Sequence, residues 1–396
     1  MNKKERNFFV LLLGALAMIG PFNIDTCLPA LGQIAEDFGV PFQKVELSMS
    51  LFFFFFGFGQ LFGGYYSDRL GRKWIVSAGL IIATIGSVFL VFTQSLEMFY
   101  GGRALQAIGG GFVGVSIAAI VRDRFQGKEA ASIMSLVMMI AMGAPLVAPT
   151  IGAGLLQQFG WPSIFIFIAI YMVAVFIPLQ LKVTNRVPEN ASNMTFFKGI
   201  KTVYSNKPAL AYMSAMAVPS GALYTYLTTA PFVYQEYFGL NASNFALLFG
   251  LNGGALIIMN KLNSVLVKTY SPRKLLHIGL GIHISTLAII LSTISVAEPN
   301  MYIVLPLLTA HLSSLGFLSG NATSIALEKY QKNVAGLANS QMRVVGIAIG
   351  SLAGAIASSF NNGTLFPPFI VMFTCSTLGI LLYVTLKKHD LDRRSI

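Results

Sequence analysis

Long apolar runs recur along the whole chain, and no other feature restricts its fold so tightly. Breaks at charges, Gly/Pro clusters and polar turns leave twelve runs, near 8–31, 44–66, 74–94, 98–121, 131–156, 161–181, 208–235, 243–267, 274–296, 301–326, 334–359 and 364–386. Each is about as long as an α-helix that crosses ~30 Å of hydrocarbon at ~1.5 Å per residue. Only 11% of the 396 residues are charged and 55% are apolar, against about 25% charged in soluble domains. The expectation is an all-α membrane protein with twelve transmembrane helices, not a globular enzyme with an anchor. Lys3, Lys4 and Arg6 ahead of the first run have the outline of a signal peptide. That run is too long, lacks a small-residue cleavage site and contains Asp25, so it is read as a retained helix.

The widest polar gap, 182–207, holds Lys182, Arg186, Lys198, Lys201 and Lys207 with Pro188. It divides the chain into an N-terminal six-helix lobe (1–181) and a C-terminal six-helix lobe (208–396), with a cytoplasmic linker between them. A net charge of +12 raises nucleic acid as a partner. The positions of the charges answer this. With both termini cytoplasmic, every Lys and Arg except Lys44, Arg103, Lys261 and Arg343 lies on the inner side. Glu36, Asp37, Glu46, Glu97, Glu236 and Glu298 collect outside. This is the positive-inside pattern. The basic surplus therefore reflects topology and contact with the lipid bilayer, and no nucleic-acid partner is implied.

Asp25 sits inside the first apolar run, where an ionised side chain costs at least ~3 kcal/mol on insertion scales. A neutral acid costs much less, so the position suits a carboxyl that gains and loses a proton. Pro21 and Pro29 bracket it, and Pro29 cannot donate to the Asp25 carbonyl, which frees the backbone there. Among the fifteen acids, Asp25 is the one well inside a run. Cys27 and Cys375 fall within spans as small apolar residues, with no disulfide implied. His277, His283, His311 and His389 have no metal-ligand spacing, so no metal and no cofactor is expected.

Between the second and third runs the chain reads Gly63-Gly64-Tyr65-Tyr66-Ser67-Asp68-Arg69-Leu70-Gly71-Arg72-Lys73. Its glycines allow close helix approach and a tight turn at Gly71. Asp68 can accept hydrogen bonds from basic neighbours. Together with twelve spans split six and six, this segment resembles the loop signature of the major facilitator superfamily. Asp25-Thr26-Cys27-Leu28-Pro29-Ala30-Leu31 resembles the helix 1 motif of drug:proton antiporters, and Gly102-Arg103-Ala104-Leu105-Gln106-Ala107-Ile108-Gly109 resembles their helix 4 motif with its embedded arginine. Ala144-Pro145-Leu146-Val147-Ala148-Pro149-Thr150-Ile151-Gly152-Ala153 is similar to the antiporter motif of helix 5, with Ala148 and Ala153 where that motif has glycine. Pro231-Phe232-Val233-Tyr234, Leu251-Asn252 and Val334-Ala335-Gly336-Leu337-Ala338-Asn339-Ser340 are similar to positions in bicyclomycin and chloramphenicol/florfenicol exporters, the Bcr/CflA group. Some relatives carry a second helix 1 acid where this chain has about Ala17.

The resemblance implies a monomeric multidrug-efflux transporter of the bacterial inner membrane that confers antibiotic resistance, takes small-molecule substrates and uses protons as coupling ion. Asp25 and Arg103 would couple the proton at one depth, both about 8–9 Å inside their outer helix ends. Phe22, Phe54, Met138, Tyr224, Tyr226 and Asn252 are candidates for the substrate cavity between the lobes. Gly64, Asp68, Arg69, Gly71, Arg72, Arg122 and Arg124 would form a conformational latch, with Arg72 and Arg122 or Arg124 as partners for Asp68. Pro145, Pro149 and Gly152 would form a hinge. A proton-coupled amino acid or sugar transporter of the same fold is the alternative. An enzyme would need a nucleophile–base pair or metal ligands within the spans, and the sequence has neither arrangement. Gly109-Gly110-Gly111 reads as close helix packing rather than a nucleotide loop. The run Phe52–Phe56 covers every helix face, Lys261 snorkels to the interface, and Arg343, deeper in its span, is left without a role.

Overall fold

The computed structural model describes residues 3–185 and 196–392, so Arg186 and Pro188 of the central gap fall outside it. Among the described residues, every regular element is a helix. The first unit holds α1 (Lys3–Asp25), α2 (Leu31–Asp37), α3 (Phe42–Leu70), α4 (Arg72–Val91), α5 (Leu96–Arg124), α6 (Gly127–Met142), α7 (Ala144–Phe159) and α8 (Pro162–Lys182). Then follow α9 (Phe196–Tyr204), α10 (Lys207–Pro231), α11 (Ala242–Leu266), α12 (Pro272–Val296), α13 (Met301–Leu327), α14 (Lys332–Ser359) and α15 (Phe366–Asp392). A 3-10 turn, Leu28–Ala30, joins α1 to α2, and a π-helical turn, Phe232–Tyr237, follows α10. Among the described residues, eleven segments are long and apolar enough to span a bilayer, with α1–α2 and α6–α7 each acting as one. The remaining long helix, α10, completes the expected twelve. It carries Thr225, Thr228 and Thr229, whose hydroxyls donate back to the carbonyls of Gly221, Tyr224 and Thr225 at 2.9–3.0 Å. Polar groups satisfied within their own helix add little cost in hydrocarbon.

Helix ends depart from the sequence reading in instructive places. The first segment runs to Asp37, not Leu31, and Trp161 donates to Asp37 Oδ2 at 2.7 Å, which ties that end to α8. Residues Gly63–Leu70, expected in a loop, are the last turns of α3. The loop contracts to Gly71, whose φ of +97° is open to glycine and strained for other residues.

By contact the chain separates into two units, Met1–Asn193 with Leu240–Gly250 and Met194–Gly239 with Leu251–Ile396. In the first, α3 and α4 pack along α5, and α1 packs on α5, α6, α7 and α8. The glycine run allows this: a Cβ on Gly111 would stand 2.5 Å from the Phe56 carbonyl oxygen of α3, and Gly109 abuts the Gly79 carbonyl of α4. In the second unit α10 is central, packed by α13, α14 and α15, while α12 lies on α13 and α15. Part of the 182–207 gap is ordered as α9, whose Val203 is buried in the second unit's core.

Candidate functional site

The first helix breaks at the residue that most needs explaining. Pro29 brings no N–H to the Asp25 carbonyl, so α1 ends at Asp25. A long Thr26 N–H bond to Phe22 O (3.4 Å) and a tight turn from Cys27 N–H to Ile24 O (3.3 Å) follow. Asp25 is 4% exposed. Its carboxylate makes no hydrogen bond or ion pair with any described residue.

Arg103 enters from α5 and is wholly buried. One guanidinium nitrogen donates to Asn23 O at 2.8 Å and to Gln106 Oε1; the other points at Met49 Sδ, 3.4 Å away. The group lies 4.4 Å over the Phe52 ring. Gln106 Nε2 donates to Ser87 Oγ at 2.9 Å, and Ser87 donates to Ala83 O. One cation thus ties α1, α3, α4 and α5 together. Arg103 does not pair with Asp25. It binds the backbone two residues upstream, about 3 Å away along the axis, so the two share a level without touching.

Several buried polar atoms at the break have no hydrogen-bond partner among the described residues: both amide atoms of Asn23, Thr26 Oγ1 and Arg103 Nε. Each costs on the order of 1–3 kcal/mol if left so. Their concentration in one place marks a site for a polar guest rather than a packed core.

The segment with the antiporter pattern lies on this break. Gly143 joins α6 to α7, Pro145 sits in the first turn of α7, and Pro149 lies inside it. Gly152 faces the Thr26 carbonyl so closely that a Cβ would run into that oxygen. Phe22 is packed with Ala144 and Ala148, its ring 4.9 Å from Tyr171 and 6.0 Å from Phe167, so it is a core residue of the first unit. Met138 is partly buried on α6. Phe54 is exposed, while Phe52 and Phe53 are buried, so the phenylalanine run does cover several faces of α3.

At the other end of these helices Arg72 bridges two acids, Asp68 and Asp123, the latter through Nε at 3.1 Å, and also donates to Ser67 at 3.2 Å. Asp123 was missed by the sequence reading, which looked for bases near Asp68. Arg122 is exposed, whereas Arg124 stacks on Phe9 at 4.6 Å and reaches Lys182 O and Thr184 at 3.4 Å. Neither basic residue joins Asp68. Arg69 lies 4.2 Å over the Tyr65 ring. Gly64 packs on Val115, and Gly71 is held by Asn185, whose Nδ2 donates to Leu70 O at 3.1 Å.

The second unit has its own polar knot. Asn252 Nδ2 donates to the Tyr226 and Tyr234 hydroxyls at 2.9 and 2.7 Å, and Thr309 donates to Asn252 Oδ1. Tyr226 and Asn252 therefore come together as buried partners. Tyr224 is half-buried and packs on Gly350. Arg343 and Lys261 are exposed on their unit.

Two buried features escaped the sequence reading. Glu46, assigned to the outer edge, is fully buried near the start of α3, which makes it the other enclosed acid beside Asp25 among the described residues. His283 and His311 stack with ring centroids 3.9 Å apart; His283 Nδ1 contacts Ser314 Oγ and His311 Nδ1 contacts His283 O. No local spacing announces either feature. Among the described residues, no group of three or more His, Cys, Asp or Glu is placed to hold a metal ion.

A family model described as Major Facilitator Superfamily matches residues 11–357. A bicyclomycin resistance protein homolog of Haemophilus influenzae is 29% identical, over 100% of both chains. The multidrug resistance protein MdtL of Citrobacter koseri is 26% identical over 96% of both. Among solved structures, a D-xylose–proton symporter superposes with a TM-score of 0.75 at 13% identity, covering 96% of this chain and 97% of the other.

Proposed function

We propose that this chain, which belongs to the major facilitator superfamily, expels small amphipathic drugs from the bacterial cytoplasm in exchange for protons, with Asp25 as the proton-binding carboxylate. The observation that carries this reading is the break in the first helix, where a buried, unpaired Asp25 lies beside unsatisfied polar atoms and two residues from the carbonyl that a buried cation holds. A buried acid is tolerated neutral and disfavoured charged. The enclosed, protonated state of Asp25 and its ionised, water- or substrate-accessible state therefore exclude one another, which is the linkage an antiporter requires. The names borne by the bicyclomycin and MdtL relatives support drugs as the cargo.

In this reading both termini are cytoplasmic and the protein works as a monomer in the inner membrane. Arg103 holds the Asn23 carbonyl and so fixes the break. Helix α7, with Pro145 and Pro149, senses it through the Gly152–Thr26 contact. Phe54, Met138, Tyr224, Tyr226 and Asn252 remain candidates for contacts with substrate, whereas Phe22 is packed inside the first unit. The cluster of Asp68, Arg72 and Asp123 acts as the latch, with Gly64, Arg69, Gly71, Arg122 and Arg124 around it. Each proton moved inward supplies about 1.4 kcal/mol per pH unit and about 2.3 kcal/mol per 100 mV.

The test is counterflow and proton-driven transport in proteoliposomes, with bicyclomycin, amphenicols, amino acids and sugars as the panel. Drug counterflow with gradient-driven accumulation is expected. Asp25→Asn keeps size and hydrogen bonding but cannot titrate; it should retain counterflow and lose gradient-driven accumulation, while Glu46→Gln keeps both. Wild-type accumulation by Asp25→Asn would overturn the coupling assignment. Transport confined to sugars or amino acids would overturn the cargo.

A further inference from the structure

We infer that the second unit carries a binding site for one anionic phospholipid in the groove between α12 and α15. The groove is lined by His277, Leu280, Gly281 and Ile284 from α12, and by Ile380, Tyr383, Val384 and Lys387 from α15, enclosing about 450 Å³. On each helix the four residues recur at i, i+3, i+4 and i+7, so two matching stripes face one another along about two turns. The volume is within the range of built ligand sites, roughly 300–1,000 Å³.

The two ends of the groove differ. The body is aliphatic: Leu280, Ile284, Ile380 and Val384. Gly281 removes a side chain from its wall, and a Cβ built there meets nothing within 4 Å. This glycine is not demanded by helix packing, unlike Gly111, and it leaves a channel for a chain-like apolar guest. The mouth is polar and cationic. His277 Nε2 and the Tyr383 hydroxyl are 2.9 Å apart and join the two helices there. Lys387 Nζ lies 5.3 Å over the Tyr383 ring, and Arg273, one turn before His277, lies 5.9 Å over Tyr212; the charges of both act on His277. Among the described residues, no acid lines the groove. Because the mouth is formed by the first turns of α12 and the last turns of α15, the cations sit at a membrane surface and the aliphatic body extends into the hydrocarbon.

An apolar chain below a negative head is the chemistry that matches this gradient. A zwitterionic lipid offers the same chain without the net charge. Inorganic phosphate offers the charge without the chain. The groove selects the molecule that has both.

Native mass spectrometry of the full chain in detergent tests the site, with phosphatidylglycerol and phosphatidylcholine of equal chain length supplied together. One phosphatidylglycerol adduct is expected to dominate. Gly281→Leu fills the channel, and leucine is the better helix former, so this variant should keep its thermal unfolding midpoint and lose the adduct. Lys387→Gln and Arg273→Gln should each weaken retention about fivefold; they decide the matter even if Gly281→Leu fails to fold. Equal retention of the two lipids would overturn the inference. So would adducts unchanged in the charge variants, or displacement of phosphatidylglycerol by millimolar inorganic phosphate.

Discussion

Within the cluster of Arg72, Asp68 and Asp123, exposure and connectivity rank the two acids, and the ranking reverses what the sequence suggests. Asp68 stands in the recognisable motif, yet its side chain is 55% exposed and it pairs with Arg72 only four residues on, across the Gly71 turn. Pairs of that kind contribute about 0.2–1 kcal/mol. Asp123 is 24% exposed and binds the 12%-exposed Arg72 from another helix, which joins α5 to α4. A less solvated charge-assisted bond between separate elements is worth about 1.5–3 kcal/mol, and partial exposure places this one near the lower figure. If the cluster forms in one transport state, Asp123→Asn should shift the balance of states by roughly tenfold, since ~1.4 kcal/mol corresponds to a factor of ten. Asp68→Asn should shift it by only about 1.5- to 5-fold, and Arg72→Gln at least as far as Asp123→Asn. Spin labels on the loop-side ends of the two units, read as distance distributions in liposomes, measure the ratio directly. A larger shift for Asp68→Asn than for Asp123→Asn would refute the exposure argument. No shift in any of the three would remove the latch.

Other variants probe the rest of the site. Arg103→Lys keeps the charge but not the planar fork that reaches Asn23 O and Gln106 while lying on Phe52; efflux should fall at least tenfold at normal expression, and wild-type efflux would contradict that role. Gly152→Ala drives a Cβ into the Thr26 carbonyl, an overpacking cost of about 1–3 kcal/mol; a lowered unfolding midpoint in detergent and impaired transport are expected, and an unchanged midpoint would show that α7 has room to move away. Asn252→Ala removes three hydrogen bonds, two of them buried, linking α10, the π turn, α11 and α13, at about 0.5–1.5 kcal/mol each. Its midpoint should drop clearly, and a midpoint equal to wild type would show that the tyrosines re-pair among themselves.

The sequence alone determined the class of fold, because a bilayer leaves an apolar run of about 20 residues little choice but a helix. It also determined the break at Asp25: a missing N–H at Pro29 is a local covalent fact that no tertiary contact can restore. The close packing of Gly109–Gly111 was legible for the same reason, since only a residue without a side chain permits that approach. What the sequence could not supply was the identity of neighbours. Arg103 meets a carbonyl 80 residues away, and Arg72 meets Asp123 at a separation of 51. Such partners have no periodicity along the chain to reveal them. The burial of Glu46 near a helix start, the stacking of His283 on His311 and the channel beside Gly281 depend in the same way on which faces the helices turn toward one another. Helix formation is settled by short-range hydrogen bonding and solvent, whereas the site is settled by packing between helices distant in the chain, and only the tertiary structure contains that information.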